Sequence, residues 1–280
     1  MTAMRHAFPT LFVSHGAPTF ALEPGLAGAS LMALGAELPR PRAIVVVSPH
    51  WTTRGGVGVT ASEAPATLHD FGGFPPALYQ LGYPAPGLPA MAEEIRPLLS
   101  AAGWSSLADP RRGLDHGAWV PLLHLVPTAD VPVLQVSLPM PLDPLGAWQL
   151  GRALRPLREA GVLLVGSGSL THNLYEFRAA RAPVEGYVER FARWTAHALQ
   201  AADLDALLDY RNRAPEAERA HPTEEHILPL FVALGAAGEH YALRVLEGGV
   251  QHGVLAMDHY LFCPSTVPSA QDMLHAAIPS

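Results

Sequence analysis

Six of the chain's 14 histidines stand where a backbone turns: His15, His50, His116, His172, His221 and His226 each close an apolar run or lie among glycines and prolines. Imidazole is the commonest metal ligand and the side chain that titrates nearest neutral pH. A lone histidine in such a place is a satisfied core residue in about two cases of three, being intermediate in burial. These six are not alone. Thr10–Ser14 and Ile44–Ser48 share one layout, an apolar run ending in serine, and each delivers a histidine beside a loop former, His15-Gly16-Ala17-Pro18 and Pro49-His50-Trp51. Three or four neutral imidazoles converging on one point is metal-site chemistry.

Other chemistries lack their motifs. The chain has no HExxH helix, no GxSxG elbow, no P-loop and no GxGxxG. Its single cysteine, Cys263, excludes a structural zinc site of cysteines and an internal disulfide framework, and fits a reducing compartment. Ser167, in Gly166-Ser167-Gly168, reads as a turn serine over a nucleophile by about four to one, because the elbow spacing is missing.

The elements that must position the histidines follow from periodicity. Thr10–Ser14, Ile44–Val47, Gly55–Thr60, Val131–Leu138, Val162–Ser169, Tyr241–Leu246 and Gly253–Tyr260 read as strands. Gly28–Leu38, Leu88–Ala102, Leu145–Ala160 and Val184–Leu207 read as helices. Ser48-Pro49 predicts the end of its strand, with His50 on the first turn beyond it, the end of an open α/β sheet where ligands bind. His221 and His226, about 140° apart on an ideal helix, cannot both face one ion from regular turns. Pro222 at a first helical position puts His221 before the helix and His226 one turn inside, with Glu224 and Glu225 as capping acids. The stretch Ala61–Pro89 is an irregular loop whose Phe71, Phe74, Tyr79 and Tyr83 favour an ordered lid or pocket wall, with a self-packed surface loop at even odds. Strands alternate with helices, so the expected fold is α/β, a single domain over 1–280 with a central mixed β-sheet flanked by helices.

Composition narrows the partners. The chain has 280 residues, 49% hydrophobic and 15% charged, against a usual quarter charged. A formal charge of −7 with no Lys/Arg run argues against nucleic acid and anionic membranes. No apolar stretch reaches the length of a membrane span, and Met1–Thr10 lacks the apolar core of an export leader. A cytoplasmic protein is expected, and a homo-oligomer is compatible with the sequence.

Five stretches together carry a family likeness: Ser14-His15-Gly16-Ala17-Pro18; Ser48-Pro49-His50-Trp51; Phe71-Gly72-Gly73-Phe74-Pro75 with Tyr83-Pro84-Ala85-Pro86-Gly87; Asp115-His116-Gly117-Ala118-Trp119; and His221-Pro222-Thr223-Glu224-Glu225-His226. In this order they resemble the class III extradiol ring-cleavage dioxygenases, nearest to the single-chain 4,5-DOPA dioxygenase branch. The resemblance implies a non-haem Fe(II), with Zn(II) able to take the same site, held by His15, His50 and His226. Much of the wider class has a glutamate as third ligand, where this chain has His226 beside Glu225. It further implies His172 as the acid/base residue and His116 as a second pocket histidine; His221 reads as facing either substrate or the back of the ligands, and Phe71, Phe74 and Tyr83 as candidates to close over the substrate ring. The substrates expected are a small catechol and O2. Two other readings stay open: a zinc hydrolase on the same scaffold with His172 or Glu225 as base, and a non-catalytic metal-binding relative.

Overall fold

The computed structural model describes residues 7–179 and 182–265; most of the Met1–Thr10 segment lies outside these. The apolar runs become one sheet, with strands β1 (Thr10–Ser14), β2 (Ala43–Thr53), β3 (Val57–Thr60), β4 (Ser106–Asp109), β5 (Val133–Pro139), β6 (Val162–Gly168) and β7 (Tyr241–Leu246). β8 (Val250–Gln251) and β9 (Leu255–Ala256) form a separate ribbon, and β10 (His259–Pro264) returns to the sheet. The order is β4-β3-β5-β2-β6-β1-β10-β7. The middle four, β5, β2, β6 and β1, run parallel. β10 and β7 join antiparallel on one side, and β3 pairs antiparallel to β5 on the other with β4 parallel beside it. This is the mixed α/β sheet that the periodicity predicts.

Helices α1 (Gly25–Glu37), α2 (Pro89–Ala101), α3 (His116–Leu125), α4 (Pro144–Leu154), α5 (Gly186–Gln200), α6 (Leu204–Leu208), α7 (Tyr210–Arg213), α8 (Ala217–Ala220) and α9 (Leu228–Ala237) surround it. β6 is buried at every position, as a strand covered on both faces must be. Its alternation shows what covers each face. A Cβ at Gly166 or Gly168 would meet carbonyl oxygens at the start of α9, while the intervening Ser167 reaches the Gly117 carbonyl of α3. α9 itself is buried at all ten positions, so it is a core helix. Among the described residues, no helix is long and apolar enough to cross a membrane.

Several expected boundaries move. β2 continues through Ser48-Pro49 to Thr53, because its register against β5 shifts between Val47 and Thr52. Such a bulge leaves a residue unpaired and so accommodates a proline. His50 therefore lies in an irregular strand, not on a turn. The late helix starts only at Leu228, with Pro229 in its first turn. Residues 221–227 instead fold into turns closed by Ile227 N–H on the Glu224 carbonyl, so His226 precedes the helix. The long helix expected to Leu207 ends at Gln200, where Ala202 adopts φ 52° and Asp203 caps α6 through the Ala206 N–H. Gly253–Tyr260 is split between β9 and β10, and the short edge strand β4 had no sequence signal strong enough to find it.

Candidate metal centre

Three parallel neighbours bring the first two histidines together. β6 lies between β1 and β2, so His15, one residue past β1, and His50, in the irregular part of β2, start about 10 Å apart, two strand spacings. Their rings must meet across the end of β6. Its small residues, Gly166-Ser167-Gly168, leave that space open, and the rings close it, with the two Nε2 atoms 3.1 Å apart. Gly117 keeps α3 equally close, since a Cβ there would fall 2.3 Å from Ser48 Oγ and 3.0 Å from His50 Cδ2. His226 arrives from the opposite face of the sheet. Gly168 admits its backbone, and Ser169 N–H donates to the His226 carbonyl at 2.8 Å.

Hydrogen bonds fix which nitrogen is bare in three of the rings. Ser167 donates its hydroxyl to the Gly117 carbonyl, so its oxygen accepts from His15 Nδ1–H at 3.0 Å. Glu225 accepts from His226 Nδ1–H at 3.1 Å, and Asp70 from His116 Nδ1–H at 3.0 Å. In a neutral imidazole the proton on Nδ1 leaves Nε2 as a lone pair. Ligating histidines have this arrangement, their second nitrogen held by an oxygen. Ser167 is thus neither a turn residue nor a nucleophile but a buried strand residue orienting a ring.

Burial then keeps the cluster uncharged. It drives His15 and His226 well below the ordinary histidine value, with the neighbouring histidines adding to the effect. His50 falls to about 3, through burial first and His116 second. His172 falls to about 4, mainly by burial, with Glu225 opposing. At neutral pH these rings are lone-pair donors without protons to displace.

The donor set suits a borderline divalent cation such as zinc or ferrous iron. Imidazoles bound through Nε2 at about 2.0–2.1 Å put ring centres about 4.5–5.5 Å apart at ordinary coordination angles. His15 and His50 are separated by 5.1 Å and His50 and His226 by 5.1 Å, within this range, while His15 and His226 at 5.7 Å stand just beyond it. Nitrogen proximity groups the residues differently: atoms of His15, His50 and His116 lie within 4.8 Å of one another, and those of His172, Glu225 and His226 form a second group. Yet the rings of His50 and His116 are only 3.9 Å apart, too crowded to share one ion. Nitrogen proximity thus joins His116 to the strand-borne pair, while ring spacing joins His226 to it.

A cavity of about 460 Å³ opens beside these rings, lined by His15, His50, His116, His172 and His226 and walled by Pro18, Phe71, Phe74, Leu174, Phe177 and Leu255. His172 stacks on His226 at 3.5 Å with 9° between planes, and no group of the described residues hydrogen-bonds its ring. Its loop is pinned by Thr171 Oγ1 on the Val254 carbonyl and by Asn173 Nδ2 on the Arg219 carbonyl. Phe71 and Phe74 reach the cavity as expected. Tyr83 and His221 do not. Tyr83 is wholly buried with its hydroxyl on the Val126 carbonyl, and His221 is wholly buried with Nε2–H on the Leu170 carbonyl. Both serve the core under the loops that the motifs mark. The sequence reading missed Asp70 and Ser167 as ring partners, and Pro18, Leu174, Phe177 and Leu255 as walls, although Asp70, Ser167 and Pro18 stood in stretches already singled out.

Residues 29–260 match the family described as the catalytic LigB subunit of aromatic ring-opening dioxygenase. The chain is 39% identical over 257 residues to the 4,5-DOPA dioxygenase extradiol of Escherichia coli (strain K12), covering 89% of this chain and 92% of that protein. It is 38% identical over 257 residues to the protein of the same name from Beta vulgaris, covering 90% and 96%. The crystal structure of an uncharacterized protein from Escherichia coli K12 superimposes with a TM-score of 0.74 at 33% identity, covering 91% of this chain and 99% of that one. The chain belongs to the LigB family of aromatic ring-opening dioxygenases, enzymes of the extradiol type.

Proposed function

We propose that this enzyme opens the ring of a small catechol with O2, and that His15, His50 and His226 hold the Fe(II) it uses, with Zn(II) able to occupy the same place. The observation that carries the reading is the set of three rings at centre spacings of 5.1–5.7 Å beside an apolar cavity. When bound, the ion supplies chelation for both catechol oxygens and the electron path to dioxygen. His172, neutral at pH 7 and with no hydrogen bond to its ring among the described residues, takes the proton of a substrate hydroxyl on a ring nitrogen and can return it later. His116 faces the same cavity as a second proton acceptor. Phe71, Phe74 and Leu255 exclude water from the ring.

The hydrolase reading keeps only one of its two candidate bases, His172. Glu225 already accepts from His226 Nδ1–H and from Thr223 Oγ1. The −7 balance with no Lys/Arg run supports the absence of nucleic-acid and anionic-membrane partners, and the single cysteine supports a reducing, cytoplasmic setting. Metal analysis together with oxygen uptake on a catechol panel tests the proposal. One iron per chain with stoichiometric oxygen consumption is expected; hydrolytic activity without oxygen, or no oxygen uptake with iron bound, would overturn it.

A further inference from the structure

One carboxylate near the cavity bears on the chemistry above only through the ring it holds. Asp70 turns its side chain inward until only 25% of it meets solvent. A single oxygen, Oδ1, accepts two hydrogen bonds from one residue 46 positions on: the backbone N–H of His116 at 2.9 Å and its ring Nδ1–H at 3.0 Å. That backbone N–H is the first of α3 and has no partner inside its own helix. The ring bond has the larger consequence. An ionised carboxylate only accepts, and His116 helps to hold Asp70 ionised, with its carboxyl at about 2 although burial opposes this. Nδ1 therefore carries the ring's proton, and the bare Nε2 is left for the cavity.

Asp70 also ends the part of the aromatic loop that is hydrogen-bonded to the start of α3. Up to this residue the loop is tied to the start of α3 by Leu68 N–H on the Leu114 carbonyl, Leu114 N–H on the Ala66 carbonyl, and Trp119 Nε1–H on the Leu68 carbonyl. After Phe71 come Gly72 and Gly73, whose Cβ atoms would meet nothing within 4 Å, with Gly73 at φ 77°. Phe74 then returns to the cavity against Phe71, ring centres 5.5 Å apart. The last hydrogen bond from this segment to α3 is thus the bond that selects the tautomer of His116.

We propose that Asp70 is a positioning residue: it holds His116 in the Nδ1–H form, with an acceptor nitrogen toward the substrate. Its catalytic consequence rests on the catechol reading above; the tautomer does not. Without Asp70 the Nε2–H form competes, and a donor would face the substrate hydroxyls where an acceptor is needed.

Two variants and two measurements test this. Asp70→Ala removes the acceptor, whereas Asp70→Asn keeps an oxygen that can accept both bonds. Nitrogen-15 spectra of the metal-free protein report the ring tautomer directly, with His116→Gln supplying the assignment. Wild type and Asp70→Asn should show His116 as Nδ1–H, and Asp70→Ala should populate Nε2–H. With iron loaded, Asp70→Ala should lower kcat about 10–100-fold at unchanged metal content, the usual cost of losing a ring-orienting partner, and Asp70→Asn should recover most of it. An unchanged His116 tautomer in Asp70→Ala overturns the proposal, as does wild-type kcat in that variant. If wild type cleaves no catechol at all, the functional reading fails, while the spectra still decide the tautomer.

Discussion

Gly168→Ala is the sharpest perturbation that the centre offers, because it touches no ring and yet should displace one. A Cβ at position 168 would lie 2.2 Å from the His226 carbonyl oxygen, whereas ordinary contact begins at 3.4 Å. The turn carrying His226 must therefore retreat by about 1.2 Å, and Ser169 N–H would lose its 2.8 Å bond to the same oxygen. Overpacking of this kind costs about 1–3 kcal/mol of stability. A misplacement near 1 Å can cost about 10²-fold in rate. If His226 is a ligand, the affinity for Fe(II) or Zn(II), read by competition with a chromogenic chelator, should fall by about 10–100-fold. Gly82→Ala is the control, since its Cβ would meet only Thr67 Oγ1 at 3.9 Å. A Gly168→Ala protein that melts lower but binds metal as wild type does would show that His226 holds no metal.

Two further outcomes are expected. His172→Ala should keep one metal per chain while turnover drops by about 10²–10⁴-fold; loss of the metal would make His172 a ligand, and full activity would pass the proton to His116. Stability should also fall with acid through His259, which donates Nε2–H to the Ala27 carbonyl and accepts the Ser14 N–H on Nδ1. Burial lowers its pKa to about 4, so between roughly pH 6.5 and 4 the unfolded chain takes up a proton that the native state refuses. That contribution is complete above pH 6.5 and amounts to about 3 kcal/mol lost by pH 4; denaturant titrations of His259→Gln that keep the same acid slope would refute it.

The parallel core was legible because strands covered on both faces announce themselves as unbroken β-branched runs, and the two serine-histidine endings then located His15 and His50. What periodicity could not supply was anything made by contact across the chain. Pro49 looked like a stop because proline removes a ladder bond, but a bulge in β2 makes that loss harmless. Pro222 looked like a helix start, while Pro229 took that role and left His226 on a turn. Tyr83 and His221 stand in motif-rich loops and read as substrate-facing, yet each ring spends its polar group on a backbone carbonyl under those loops. Asp70 is the opposite case. Its neighbours were conspicuous, but its partner lies 46 residues away, a distance that no local pattern spans.

The placement of β6 between β1 and β2 divides the centre into a stiff half and an adjustable half. His15 and His50 are held by the spacing of paired strands, so moving either means re-registering a buried sheet. His226 and His172 arrive on turns tied down by a few hydrogen bonds, and they can be shifted, exchanged or lengthened while the sheet stays as it is. Remodelling this scaffold toward another metal or another reaction is therefore a matter of the turns around residues 172 and 226, with the strand-borne pair retained as a fixed anchor.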